Sequence, residues 1–137
     1  MAVNSYGTVF RFMPSGGEDV VVGSLASIGE LTCDSEEIDV TTLDSADGYR
    51  EYIQGYRDAG VISLEGYHAK GDAGQAVLRE AFETGKTGDA KVTFPDGSSV
   101  GFKAYVKSYT LGAAKVDGAV GFGTVLRITG GVMFDEG

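Results

Sequence analysis

Apolar and polar positions alternate with a period of two along most of this chain, the signature of half-buried strands. Residues 5–13 place Tyr6, Thr8, Phe10 and Phe12 on one face and Val9, Arg11 and Met13 on the other. Residues 19–23 and 26–33 are short apolar stretches separated by Gly and Ser, and they read as a hairpin. Residues 37–43 (EIDVTTL) are rich in β-branched side chains and set Ile38, Val40 and Thr42 against Asp39, Thr41 and Leu43. Residues 60–68 set Ile62 and Leu64 opposite Ser63 and Glu65.

In the second half, residues 91–94 and 99–110 flank Pro95-Asp96-Gly97, where Pro presets one turn angle and Gly takes the positive φ. Along 99–110, Val100, Phe102, Ala104 and Val106 share one face, and Lys103, Tyr105, Lys107 and Tyr109 the other. A glycine-rich link (112–121) leads to residues 122–134, with Phe122, Thr124, Leu126, Ile128, Val132 and Phe134 on one face. At about 3.3 Å per residue that strand approaches 40 Å, longer than a small sandwich requires. Strands of this length are expected to engage another subunit at their ends.

One segment changes period. Asp72 is a suitable N-cap and Gln75, three residues on, completes a capping box. Val77, Leu78, Ala81 and Phe82 form a single apolar stripe, and Arg79, Glu80 and Glu83 face away. Gly85 is placed to end the helix in a left-handed cap, which predicts a helix over 73–84. One stripe requires a sheet to cover, so the expected fold is mainly antiparallel β, a sandwich or flattened barrel with one flanking helix, in a single domain spanning 1–137. Residues 44–59 (DSADGYREYIQGYRDA) are too glycine-interrupted for a helix and too polar for core. They read as a long loop carrying Tyr49, Arg50, Tyr52, Ile53, Tyr56 and Arg57, and loops of this length are usually functional. Tyr and Arg are also the types enriched at the energetic centres of interfaces.

Composition narrows what such a fold does. The chain has 137 residues, 11 Lys+Arg, 20 Asp+Glu and a net charge of −9. Its 22 glycines are about twice the usual share but follow no three-residue period, which excludes collagen. Residues 18–51 hold ten acids against one base, Arg50, and carry the whole net charge; elsewhere acids and bases cancel. A protein that grips nucleic acid carries a basic face, and this one has the opposite sign. A single cysteine excludes a disulfide framework and a cysteine-rich zinc site. The first residues lack a signal peptide's basic start and apolar run, and no apolar stretch approaches 18 residues, so a reducing, cytosol-like compartment is expected.

Catalytic and cofactor motifs do not assemble. Gly85-Lys86-Thr87 has the end of a phosphate-binding loop, but Glu80 stands where its first glycine belongs and the tripeptide follows a helix. In 44–48, Ala46 and Gly48 occupy calcium-ligand positions. His68 is the only histidine and Cys33 the only thiol; they read as a strand-end histidine and a buried strand cysteine. No enzyme, cofactor or metal is expected. A small-ligand β-barrel is the less favoured binding alternative, because the aromatic residues do not converge on one interior.

Residues 36–68 resemble the tail tube, or major tail, proteins of long-tailed bacteriophages of the siphovirus type. The resemblance rests on Val40-Thr41-Thr42, the Asp44-Ser45 turn, the polar Tyr/Arg stretch from Tyr49 to Gly55, Asp58-Ala59-Gly60 and Leu64-Glu65-Gly66. The remaining layout agrees, down to Gly130-Gly131-Val132-Met133-Phe134. The resemblance is to the shorter members, so the immunoglobulin-like domain that some relatives append is not expected. The resemblance implies a sandwich-like subunit whose sheet joins those of its neighbours, hexameric rings stacked into a hollow tube, and long loops reaching adjacent rings. It also implies tape-measure, tail terminator and distal tail proteins as partners, DNA that transits without specific binding, and a place in the virion tail after assembly in the host cytoplasm. Thr41, Thr42, Leu43, Tyr49, Arg50, Tyr52, Ile53, Tyr56, Arg57 and Asp58 then become expected interface residues. Glu36, Glu37, Asp39, Asp44 and Asp47 become an expected acidic lumen, because an anionic wall offers DNA phosphates no counterion release. A related ring protein of a virion neck, tail terminus or secretion tube is the alternative.

Overall fold

The computed structural model describes residues 6–69, 71–112 and 120–136. The strands are β1 (Val9–Pro14), β2 (Val20–Val22), β3 (Leu25–Ile28), β4 (Asp34–Asp39), β5 (Tyr52–Asp58), β6 (Val61–Tyr67), β7 (Gly88–Thr93), β8 (Ser99–Leu111) and β9 (Gly121–Asp135). The helix α1 (Ala73–Thr84) lies between β6 and β7. Seven strands form one antiparallel sheet in the order β2-β1-β7-β8-β9-β6-β3, and β4 and β5 form a separate pair. The glycine-rich link expected at 112–121 lies mostly outside the described residues, as does the start of the stretch expected at 5–13.

The order of the sheet dictates its shape. β2 and β3 stand at opposite ends of it, yet only Gly23 and Ser24 separate them in the chain. Three Cα steps from Val22 to Leu25 span at most about 11 Å, so the ends must come close and the sheet curls into a nearly closed, flattened barrel. The hairpin expected from 19–23 and 26–33 therefore does not form: β2 pairs with β1, and β3 pairs with β6. Hydrophobicity alone could not distinguish neighbours in sequence from neighbours in a sheet that closes on itself.

The helix fastens the seam. Asp72 caps it by accepting from the Gln75 amide at 3.1 Å, and its carboxylate also accepts from the Gly23 amide at 3.1 Å. Gln75 is buried, and its side chain does not reach back to complete a capping box. Instead it accepts from the Ala69 amide and donates to the carbonyls of Gly23 (3.2 Å) and Tyr67 (2.9 Å). Gly74 lies against the Val21–Val22 backbone so closely that a Cβ would collide with the Val21 carbonyl. Gly85 ends the helix in the left-handed region (φ 72°), as its sequence position implies. The stripe is narrower than expected, since Leu78 and Ala81 are buried whereas Phe82 is exposed.

The core follows the strand alternation. Phe10, Phe12, Leu64, Leu78 and Leu126 are fully buried, joined by Ile62, Val92, Phe102, Ala104, Val106, Phe122 and Ile128. Two bulges interrupt the β8–β9 ladder. Lys107 is one residue too many on β8, because Val106 faces Leu126 while Ser108 faces Val125. The extra residue reverses the alternation beyond it. Tyr109, expected on the outward face with Lys103 and Tyr105, instead packs edge-on against Phe122 with ring centroids 5.3 Å apart. Buried Thr124 donates to the Ser108 carbonyl at 2.7 Å beside this bulge. On β9, Gly130 and Gly131 are the additional residues, between the Lys103–Thr129 and Phe102–Val132 pairs. Beyond them the inward face outruns the core, and Phe134 is 67% exposed.

Candidate assembly interface

The two-stranded pair β4–β5 and its turn make an arm from Asp34 to Asp58. Both strands start or end beside the barrel, and Asp34 faces Asp58 across the base. The strand expected over 37–43 is displaced towards the N-terminus, to Asp34–Asp39. Side chains take the backbone groups that would have continued the ladder. Asp39 accepts from the Thr41 amide at 2.9 Å, Ser45 Oγ accepts from the Thr42 amide at 2.9 Å, and Thr41 Oγ1 accepts from the Glu51 amide at 2.7 Å. The loop expected over 44–59 is half strand, because Tyr52–Asp58 pairs with β4 throughout. Its glycine is accommodated at a bulge, where two residues, Gly55 and Tyr56, stand between the Gln54 and Arg57 pairings.

The arm is internally ordered and externally unsupported. A short turn of 3-10 helix, Ala46–Gly48, forms its tip, and Ser45 donates to Glu51 at 2.8 Å. Arg50 donates to Asp39 at 3.2 Å. From Asp34 to Asp58 every residue is exposed except Ser35, Ser45 and Gly55, which are half-buried. Thr41, Thr42, Leu43, Tyr49, Arg50, Tyr52, Ile53, Tyr56, Arg57 and Asp58 all lie on this element, and so do Glu36, Glu37, Asp39, Asp44 and Asp47. Leu43 is as exposed as in an extended chain (106%). An isolated two-stranded hairpin is marginal in water.

Arg127 of β9, which the sequence did not flag, secures the base. It donates to Asp58 at 2.7 Å, and the same carboxylate accepts from the Gly60 amide at 2.8 Å. These bonds, the Gly60 amide first and Arg127 second, hold Asp58 below the ordinary carboxylate range. Hydrogen bonds from Thr41, ahead of Arg50, do the same for Asp39. A carboxylate with a depressed folded-state pKa stabilises above the unfolded value, about 3.9 for aspartate, and loses that contribution as pH falls through its own lower value. The Gly60 amide resonance is therefore expected to stay constant from pH 7 to about 5 and to titrate with a midpoint below 3.9. A midpoint above that value in an NMR titration would contradict the arrangement.

The remaining candidates are not brought together. Cys33 is exposed at the foot of the arm and is neither buried nor in a strand, contrary to expectation. His68 lies just beyond β6, exposed, with its amide donating to the Val120 carbonyl. Among the described residues no three His, Cys, Asp or Glu side chains are placed to share a metal ion. Ile38 is the interface candidate that sequence reasoning omitted. The alternation of EIDV contained it, but its pairing with Ile53 did not exist until the two segments were joined.

A curled antiparallel sheet with one seam helix and a projecting, uncovered hairpin defines the class as a β-barrel subunit with an exposed arm. The chain belongs to the lambda phage tail tube protein family, whose model matches residues 19–120. Among solved structures it is similar to a chain in the tail of an empty gene transfer agent (GTA) particle refined with C6 symmetry, at 25% identity over 97% of this chain and 98% of that one, with a TM-score of 0.78. The SPP1 tail tube protein shares the fold at 19% identity, 98% and 79% coverage and a TM-score of 0.73. A chain of the anti-feeding prophage baseplate does so at 8% identity, 98% and 95% coverage and a TM-score of 0.79. No curated protein matches the sequence significantly. The chain is thus a structural component of a virion tail tube and not an enzyme.

Proposed function

We propose that six copies form a ring, that rings stack into the hollow tube of a siphovirus-type tail, and that this tube conducts DNA to the host. The observation that carries this reading is the ordered arm 34–58, exposed on both faces in a subunit whose family builds tubes. The C6 symmetry of the similar GTA tail supports the number six. The whole chain, 1–137, acts as one tail-tube domain. Thr41, Thr42 and Leu43 at the tip, with Tyr49, Arg50, Tyr52, Ile53, Tyr56, Arg57 and Asp58, make the contacts between copies. Glu36, Glu37, Asp39, Asp44 and Asp47 supply an acidic surface towards the channel, where repulsion of phosphates lets DNA pass. The tube forms in the host cytoplasm around a tape-measure protein and is closed by terminator and distal tail proteins.

Negative-stain microscopy of the concentrated, purified protein tests this directly. Stacked rings with a central bore are expected. Single rings without stacks would favour a neck or terminus role, and a protein that stays monomeric would refute the proposal.

A further inference from the structure

The barrel closes on one side without a ladder. Among the described residues no strand pairing joins β2 to β3, although the two stand at the ends of the same curled sheet. Backbone is laid on backbone there instead. Gly66 of β6 lies against the Ser24–Leu25 backbone, where a Cβ would collide with the Ser24 carbonyl, as Gly74 lies against β2. Glycines on both sides leave no side chain to interlock, so the hydrogen bonds across the gap decide whether the ends stay together. One of these is a backbone bond, from the Tyr67 amide to the Ser24 carbonyl at 3.0 Å. The others run through two side chains of α1 and its cap. Buried Gln75 donates from Nε2 to the Gly23 carbonyl just after β2 and to the Tyr67 carbonyl at the end of β6, and its Oε1 accepts from the Ala69 amide. Asp72 Oδ2 holds the Gly23 amide at 3.1 Å.

A carboxamide carries the same donor and acceptor as a peptide group. We infer that Gln75 is a latch: its side chain stands in for the peptide unit that a continuous ladder would have at this point, and its release opens the seam as one unit while both parts of the sheet stay paired. This device belongs to the subunit and is independent of how copies assemble. The bodies on either side are each held without it. α1 packs on β8, β2 and β1, and β2 pairs with β1 from Val20 to Val22. Across the gap β3 pairs with β6, and β6 pairs with β9 along its whole length. Units that are well paired internally but joined by few bonds separate at a lower free energy than the whole fold. Strain and an existing opening mark the same place. Ser24 has a φ of 59°, a left-handed conformation that serine adopts at a cost and that release of the link would relieve. Beyond the latch the gap is already a groove between Thr8 and residues 25–31, lined by Ile62, Val92 and Phe102 of the core. Opening the latch widens that groove and admits water to this part of the core without breaking a strand pair.

Hydrogen exchange, read residue by residue on the dissociated full-length subunit, tests the latch. The amides of Gly23, Tyr67 and Ala69 report on the seam, and that of Leu126, on a strand flanked on both sides, reports on the barrel. In the wild type the three seam protection factors should agree within about threefold and lie at least about tenfold below that of Leu126. Gln75→Leu nearly keeps the volume and removes every side-chain bond. It should lower all three by about tenfold more, Tyr67 included although its amide bonds to Ser24, and leave Leu126 within about threefold. Gln75→Glu makes the latch respond to pH. Ionised, it faces the Gly23 and Tyr67 carbonyls with no proton to give; protonated, it donates to one of them. Its folded-state pKa is therefore raised, and seam protection, lost at pH 7, should rise as pH falls to about 5, still above the unfolded glutamate value of about 4.3. His68, Asp72, Arg79 and Tyr109 are the other titratable groups described around this hollow, and wild-type protein carried through the same pH series accounts for them. Seam amides as protected as Leu126 in the wild type, an unchanged Tyr67 in Gln75→Leu, or Leu126 falling in step with the seam would each overturn the latch. Should Gln75→Leu fail to fold, the pH series decides: seam protection in Gln75→Glu that does not rise on acidification, relative to wild type, refutes it.

Discussion

Replacing residues 35–57 by Asn-Gly, so that Asp34 and Asp58 become the last pair of a minimal hairpin, is expected to yield a folded subunit that never forms tubes. The excised arm contains no buried residue, and its foot is held by Asp58, Arg127 and Gly60, of which only the carboxylate's immediate neighbourhood is altered. Removing exposed structure typically changes stability by no more than about 0.5 kcal/mol, which is roughly 1–4 °C in melting temperature for a chain of this size. Assembly should fall below detection, because both faces and the tip vanish together. Circular dichroism melting and electron microscopy on the same sample read the two effects apart. A variant that unfolds would show that the arm supports the barrel, and one that still builds long tubes would show that assembly does not need the arm.

The largest effect on folding is expected at Phe12. Its ring is fully buried, its cross-strand partners are Val20 on β2 and Ala90 on β7, and the ring lies over Gly88 where no other side chain could stand. Phe12→Ala should cost about 3–5 kcal/mol, a large part of the 5–15 kcal/mol that holds a typical domain. Urea unfolding should show the midpoint falling with little change in slope. Phe134→Ala offers the contrast: exposed in the subunit, it should leave the midpoint nearly unchanged. A Phe12→Ala loss below 1 kcal/mol would mean that the barrel interior is far looser than its burial indicates.

Local rules carried the reading of the sequence a long way where local physics decides. The helix bounds, the Asp72 cap, the Gly85 terminus and the inward sets on β6 and the first part of β8 all depend on residues within a turn or two of each other. Failures occurred where a distant partner decides. Residues 20–22 and 25–28 resemble a hairpin until β1 and β6 claim them. Tyr109 turns inward because a bulge at Lys107 answers to β9. Tyr52–Asp58 looked too polar for a strand because it pairs with Asp34–Asp39 in an arm whose faces are exposed, so no core pattern marks it. That these residues share one exposed element was legible, since Tyr and Arg stood where a core would not have them. Their division between two faces was not, because it arises from the Ile38–Ile53 register.

The position of β9 in the sheet has a consequence for biosynthesis. It is the ninth strand in chain order, yet it is the one that joins β2-β1-β7-β8 to β6-β3. Until it is made, the nascent chain holds two separate β-sheets, whose ends cannot be drawn together by the Gly23–Ser24 link into a barrel. The arm, whose strands pair within 25 residues of one another, is by contrast able to fold early, since hairpins close in about 1–10 μs. A ribosome-bound chain can therefore display the arm without yet offering the finished barrel on which another copy would dock. A chain that ends before β9 therefore lacks the strand that unites its two sheets.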